Sequence, residues 1–444
     1  MALSDLDCIV VGAGPAGLAA GEILHSAGAK FVILEADSQV GGRAKSTPLP
    51  EGVVFERGAM LLHGLRVMTW EAVVKHGLTT HGTYYHEWFN GWSVTGNTWT
   101  DEPIGEGYSA EFEELGRRLL EPANDGRSLF DVIEGCPFDA AAKEQMLSEF
   151  AELVPLDAHD VDARTAGDMF LRESPHTALF ELVEGYSELW HRLSAPFADR
   201  IRVDSPVSAI RYTPDGVEVS TGSETIRAAS AIITVSVGVL QSGAIEFTPS
   251  LPPEKSEAIA CMGMAPLIKV AARFRRPFWE AAVSDAMSFR VPSAKYVKIW
   301  YPLYARRGGF PVLVNLLGAG SEGLTGDVER IERAVHADLE AAFGHETIAE
   351  ELVEILVEDW PSDPLALGAA ASVPVGGRHF RATLAAPMAP LFWAGEGCAT
   401  DGHAECVEGA ITTGRTAAIE ALHCVRAFKP THPNSRLDWT LAHE

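Results

Sequence analysis

Residues 7–35 read DCIVVGAGPAGLAAGEILHSAGAKFVILE, and the order of residue types in this stretch decides the fold. Asp7–Val11 is a short apolar run ending at Gly12, the pattern of a buried parallel strand that enters a turn. The turn is G-A-G-P-A-G. Gly12 permits the sharp reversal, Gly14 lets backbone amides approach a pyrophosphate, and Gly17 lets the next helix lie close on the strand. Pro15 and Ala16 open that helix, which reads on to Ala29 with Leu18, Ile23 and Leu24 apolar, so its positive end faces a phosphate. Lys30–Leu34 is then a second strand that delivers Glu35 to its carboxyl end, where an acid accepts from ribose hydroxyls and repels a 2′-phosphate. A lone GxGxxG is weak evidence. Strand, glycines, helix, strand and acid in this order predict a Rossmann-type dinucleotide-binding unit in an α/β chain.

NAD and FAD both use such a unit, so the residues beyond Glu35 and Ala36 must choose between them. Gly41-Gly42-Arg43 can bring two backbone amides and a guanidinium to the same pyrophosphate. The spacing resembles the second fingerprint of the glutathione-reductase-type flavoproteins, in particular the flavin amine oxidase family. That resemblance favours FAD, with Glu35, Ala36, Gly42 and Arg43 among the residues that hold it.

The bulk properties fit such a chain. Its 444 residues exceed one typical core, so two or more domains are expected. The formal net charge of −26, from 35 basic and 61 acidic residues, opposes binding to nucleic acid or anionic lipid and would attract a cationic substrate. The bland reading of that acidity is solubility. No apolar run reaches the roughly 18 residues of a membrane span, and Met1–Asp7 is too short and acidic for a signal peptide. A soluble, non-secreted, cytoplasmic protein with no membrane partner is expected. The six cysteines are dispersed without a C-x-x-C pair, which predicts reduced thiols and no metal site.

Further along, residues 52–64 run from a strand-like segment into a glycine turn, and 65–200 look helix-rich, with amphipathic stretches at Ala110–Leu120 and Ala140–Leu153. An aromatic cluster, Tyr84, Tyr85, Trp88, Phe89, Trp92 and Trp99, interrupts them; it could line a channel or fill a core. Ile201–Thr234 reads as a strand pair and a return strand. Strands are expected at Ile268–Phe274, Val297–Tyr301 and Val312–Leu316, and a helix at Asp327–Phe343 capped by Thr325 or Asp327. Leu391–Ala394 is a short apolar strand before a Gly395-Glu396-Gly397 turn, and Val407–Ala421 a helix. The division that follows is an FAD-binding domain from 1–70, 185–250 and 366–444, and an interleaved α+β substrate domain from 71–184 and 251–365.

Several of these segments together resemble the flavin-containing amine oxidases, the monoamine and polyamine oxidases, over nearly the whole chain. They are EGYSELWHRL, IRVDSPVSAI, TVSVGVLQSGAIEFTPSLP, APLIKVAARFRRPFW, EDWPSDPLALGAAASVPVG and FWAGEGCATDGHAECVEGAITTGRTAA. The resemblance implies that Gly58, Ala59 and Met60 pass beneath the flavin ring, that Val207 meets the adenine, and that Trp360 lies near the ring. It places Gly395 and Glu396 near the ribityl-pyrophosphate, Cys406 beside the ring, and the Val407 amide toward flavin O2. It makes Lys269 the lysine that reaches flavin N5 through a water, and His63 the histidine beside the substrate channel. The bland alternatives are a surface-strand lysine, a satisfied turn histidine, and for Cys406 a small packing residue.

A helix beginning at Val407 would turn its positive end to the ring edge where reduction places negative charge. A lysine between Ile268 and Val270 has its charge disfavoured by desolvation and can orient water. Two departures limit the reading. The aromatic pair that usually flanks the amine aligns with Ala370 and Cys406, which removes a cation–π cage. The thiol for a covalent flavin link would stand near Ala369 and is missing, so noncovalent FAD is expected. Leu61 stands where the L-amino acid oxidase branch has a carboxylate-clamping arginine, so an amino acid substrate would need another, such as Arg66 or Arg172.

The resulting expectation is an FAD-dependent oxidase that removes a hydride equivalent from a C–N bond of a small-molecule amine, using O2 and giving imine and H2O2. A dehydrogenase, desaturase or L-amino acid oxidase of the same superfamily, or an inactive FAD-binding scaffold, is the alternative. A homo-oligomer is left open, because no heptad or apolar face marks a partner surface.

Overall fold

The computed structural model describes residues 6–50, 52–84, 92–101, 110–153, 156–172, 178–283, 288–302, 310–318 and 321–428. The opening unit forms as its pattern requires. Strand β1 (Leu6–Val11), helix α1 (Pro15–Ser26) and strand β2 (Phe31–Leu34) follow in order. Strand β1 pairs in parallel with β2 on one side and with Thr225–Ile233 on the other. Beyond β2 lies Ile201–Arg202. The long strand Thr225–Ile233 pairs antiparallel with Gly216–Thr221 over its first half and parallel with Leu391–Trp393 over its second. Helix α1 ends at Ser26, earlier than the sequence suggests, because Gly28 turns the chain with a φ of +69°. Its small-residue face receives the terminal helix Val407–Phe428 so closely that a Cβ on Gly414 would lie 2.1 Å from the Ala16 carbonyl oxygen.

A second sheet of seven strands runs in the order Leu352–Asp359, Ile268–Phe274, Val312–Leu317, Ile299–Pro302, Phe289–Arg290, Trp92–Thr95 and Thr98–Asp101. Helix Val328–Phe343 shares its core of Trp279, Phe289, Trp300 and Phe343, and Asp327 caps that helix by accepting from the Arg330 amide at 2.9 Å. Helices Ala110–Leu119, Leu129–Glu134, Ala140–Leu153 and Ala163–Arg172 enclose a separate core around Leu115, Leu119 and Ile133.

The stretch 65–200 is less uniformly helical than its periodicity suggests. Thr80–Tyr84 and Ala178–Leu182 are strands that join Leu62–His63 in a small sheet, and Trp92–Thr95 with Thr98–Asp101 is a hairpin on the second sheet. Four- and five-residue strands carry too few alternations to register as a period. The hairpin assigns part of the aromatic cluster to packing: Trp99 meets Phe289 edge-on at 5.1 Å. Tyr85, Trp88 and Phe89 lie outside the described residues. Among the described residues no helix is long and apolar enough to cross a membrane, and no cluster of side chains could hold a metal ion.

Candidate cofactor and active site

Three glycine-bearing segments converge at the carboxyl edge of the first sheet. The Gly41 amide donates to the Ala13 carbonyl at 2.9 Å, and a Cβ on Gly42 would lie 3.2 Å from the Gly14 Cα, so the first two segments touch backbone to backbone. Arg43 joins the third: its Nη1 donates to Glu396 Oε1 at 2.7 Å and to the Ala369 carbonyl at 2.9 Å. Glu396, 8% exposed, also accepts from the Ala371 amide. The guanidinium is thereby fixed in place, with its remaining nitrogens unpartnered among the described residues. A Cβ on Gly395, where φ is +137°, would meet nothing within 4 Å, which leaves open space beside this junction. A pyrophosphate fits a cradle of this kind, bounded by a helix amino end and a guanidinium.

Glu35 stands where the sequence put it, after β2. Its Oε2 accepts from the Ala13 amide at 2.6 Å and its Oε1 from the Asp37 amide at 2.8 Å. Burial pushes its pKa up, against those two backbone donors. Each oxygen retains a lone pair for a ribose hydroxyl. Val207 opens strand Val207–Thr213 of the same sheet, half-buried, and the terminal helix begins at Val407 with Cys406 half-buried before it.

The second sheet supplies Lys269. Its strand is flanked on both sides, with Leu316 opposite on one neighbour and Glu358 on the other, and the side chain is 1% exposed. Nζ donates to the Gly58 carbonyl at 2.8 Å and contacts Met60 Sδ at 3.3 Å. The lysine therefore reaches the segment Gly58–Met60 from the other sheet. Trp360 closes the same place: it is 3% exposed, donates from Nε1 to the Arg57 carbonyl at 3.0 Å, and approaches Gly58 so closely that a Cβ there would meet it at 3.1 Å.

Beside Lys269 are two acids that sequence reasoning passed over. Phe55, Glu56, Met60, Glu181 and Lys269 surround a space of about 10 Å3, room for one water. Glu56 is buried, accepting from the Tyr186 amide and from Ser46 Oγ, at 2.8 and 2.7 Å. Burial raises its pKa to about 7, opposed by those bonds and by the Lys269 charge. Burial likewise lowers Lys269 to about 8, opposed by Glu56, Glu181 and Glu358. An acid ending an apolar run just before Gly58 was the one local signal for Glu56.

His63 is half-buried on the small strand Leu62–His63, opposite Leu179. Ala370 begins strand Ala370–Ser372, facing Ala265 across the pair, and both Ala370 and Cys406 are half-buried. The buried thiol of Cys398 is pushed up to about 12, which makes it inert at neutral pH.

A Rossmann-like sheet with a three-segment cradle, and a lysine delivered to it from a second sheet, define a flavin-dependent oxidoreductase of the α/β class. Residues 108–422 match the flavin containing amine oxidoreductase family and residues 10–76 the NAD(P)-binding Rossmann-like domain. The chain belongs to the flavin-containing amine oxidoreductases, and its cofactor is FAD. It is 28% identical over 440 residues to human lysine-specific histone demethylase 2, covering 91% of this chain and 52% of that protein. It is also 28% identical over 444 residues to polyamine oxidase 4 of Oryza sativa subsp. japonica, covering 93% and 88%. The chain thus spans about half the length of that demethylase and most of the polyamine oxidase. Wild-type putrescine oxidase bound to putrescine shares the fold with a TM-score of 0.76 at 23% identity, over 94% of this chain and 99% of that one. Cyclohexylamine oxidase from Brevibacterium oxydans IH-35A does so with a TM-score of 0.77 at 20% identity, over 94% and 99%.

One expectation tests the Arg43 junction. Glu396→Ala removes a charge-assisted partner at a nearly buried site and should weaken FAD retention about tenfold or more, at ~1.5 kcal/mol or above. Flavin released during dialysis measures it, and retention equal to wild type would return Glu396 to a structural tie.

Proposed function

We propose that the protein is an FAD-dependent amine oxidase that converts a C–N bond of a small amine to an imine and passes the two electrons to O2 as H2O2, the imine then hydrolysing in water. When bound, the flavin accepts the hydride equivalent and later yields its electrons to oxygen. The glycines of the opening turn, Glu35, Arg43, Val207 and Glu396 hold the FAD, Gly58–Met60, Trp360 and Val407 border its ring, His63 stands beside the substrate channel, and a division at residues 71, 185, 251 and 366 separates cofactor binding from substrate enclosure. FAD is held without a covalent link, since Ala369 offers no nucleophile and the Cys398 thiol stays protonated.

The observation that carries this reading is Lys269. A fully buried lysine, delivered from the seven-stranded sheet to the loop Gly58–Met60 beside room for one water, is costly unless used. Lys269 orients that water and, with its pKa near neutrality, takes or gives a proton where oxygen is reduced. Trp360 and Met60 exclude further solvent. Anaerobic addition of primary, secondary, cyclic and polyamines should bleach the flavin, and air should restore it with release of H2O2. A flavin left yellow by every amine would sink the assignment.

The pair makes a signed pH prediction. The Glu56 carboxylate favours the ammonium form of Lys269, so Glu56→Gln should let Lys269 lose its proton at lower pH. The wild-type reoxidation profile should show a limb between about pH 7 and 8, and Glu56→Gln should move it to acid. An unmoved limb would separate Glu56 from this step.

A further inference from the structure

Arg381 is a charge held almost wholly inside the protein. It lies on helix His379–Ala385 at 4% exposure, and its Nη2 donates to the Ala371 carbonyl at 3.0 Å and to Glu405 Oε1 at 2.9 Å. Desolvation offsets most of the attraction in a buried ion pair, so what such a pair supplies is one fixed geometry rather than net stability. Both partners lead to the cofactor site. The Ala371 amide donates to Glu396, which also receives Arg43, so Ala371 is held by a carboxylate at its amide and by a guanidinium at its carbonyl. Glu405 stands two residues before Val407, where the terminal helix begins.

Glu405 also has a backbone that glutamate rarely adopts. Its φ is +68°, in the left-handed region where a Cβ crowds the following carbonyl. Gly402, in the same turn, takes a φ of +87° without that crowding. A residue with a side chain stays left-handed where its surroundings hold it, and a carboxylate tied at its far end to a buried guanidinium is such a hold. Return of residue 405 to negative φ would redirect the chain after it. The body of the helix cannot follow, because a Cβ on Gly409 would lie 2.1 Å from the His403 carbonyl oxygen and one on Gly414 2.1 Å from that of Ala16. The change would therefore fall on Cys406 and Val407.

We propose that Arg381 is a positioning residue for the reduced flavin: it holds Glu405 left-handed and so keeps the Val407 amide at the ring edge that gains negative charge. This rests on the place of Val407 beside the ring in the amine-oxidase reading above.

The midpoint potential of the bound FAD, measured by dye equilibration with a chemical reductant and no amine, tests this. In Arg381→Met it should fall by about 30 mV or more, equivalent to a tenfold loss of preference for reduced over oxidised flavin in a two-electron couple. Adding Glu405→Gly to Arg381→Met should restore most of the loss, because glycine takes a positive φ unaided. An arginine that serves packing alone would not be rescued by the loss of a second side chain. Should Arg381→Met fail to fold, Glu405→Ala and Glu405→Gly carry the same test. Both deprive Arg381 of the carboxylate, but only alanine is strained at this φ, so the potential should fall in Glu405→Ala and stay near wild type in Glu405→Gly. An unchanged potential in Arg381→Met, or equal potentials in the two Glu405 variants, overturns the role. Flavin left yellow by every amine would defeat the oxidase reading instead, and the potential, which needs no substrate, would still decide the role of Arg381.

Discussion

Lys269→Met is expected to slow reoxidation of the reduced enzyme by O2 about 10²-fold or more while the purified protein keeps its FAD. Methionine fills nearly the same volume, and the site is buried among apolar strand neighbours, so the substitution removes an amine from a place where ionisation is already disfavoured. Folding should therefore hold, and the melting temperature should not fall, because replacing a desolvated charge with an apolar chain is often neutral or stabilising. Glu56, without the cation, would shift further up and stay protonated. The loss should appear in the oxygen step measured by stopped flow, with anaerobic bleaching less affected. Reoxidation at the wild-type rate would mean that the lysine serves only packing.

Gly17→Ala should yield a colourless protein. A Cβ at this position would lie 1.9 Å from the Gly12 carbonyl oxygen and 3.2 Å from Thr234 Oγ1, so α1 must move away from β1. Overpacking of this kind costs about 1–3 kcal/mol or more, and here it opens the turn that holds the pyrophosphate. The flavin-to-protein absorbance ratio after purification measures it. Gly222→Ala is the control, since a Cβ there would meet nothing within 4 Å; its flavin content and melting temperature should match the wild type. Retained flavin in Gly17→Ala would show that the turn has slack.

These two positions also mark how far the chain is legible by reading alone. The opening unit is visible because each part, from Gly12 to Glu35, is a local signal acting on its neighbours. Lys269 was visible as a residue in an apolar strand and, through the resemblance, as the lysine that reaches the flavin; its burial depends on strands Val312–Leu317 and Leu352–Asp359 closing on either side. Glu56 escaped because its partners are Tyr186, far along the chain, and Lys269, on the other sheet. Arg381 escaped for the same reason: nothing in RHFRATL says that one guanidinium meets Ala371 and another meets Asp168. The short strands between residues 80 and 101 were missed because their lengths fall below what a period-two pattern can show.

The contact of Gly414 with Ala16 has a meaning in time as well as in space. A ribosome releases the opening βαβ unit well before the strand Leu391–Trp393 and the helix Val407–Phe428 that cover its apolar residues. Leu18, Ala20 and Leu24 must wait for these partners while the intervening chain is made, the kind of exposed surface that invites aggregation and chaperone binding. The nascent chain also lacks Glu396 and the Val407 helix end until then, so a complete cradle for FAD exists only once these late segments have emerged. Flavin supply in the cell would then act after these segments have joined the opening unit, as a ligand that rescues late folding rather than a template for early folding.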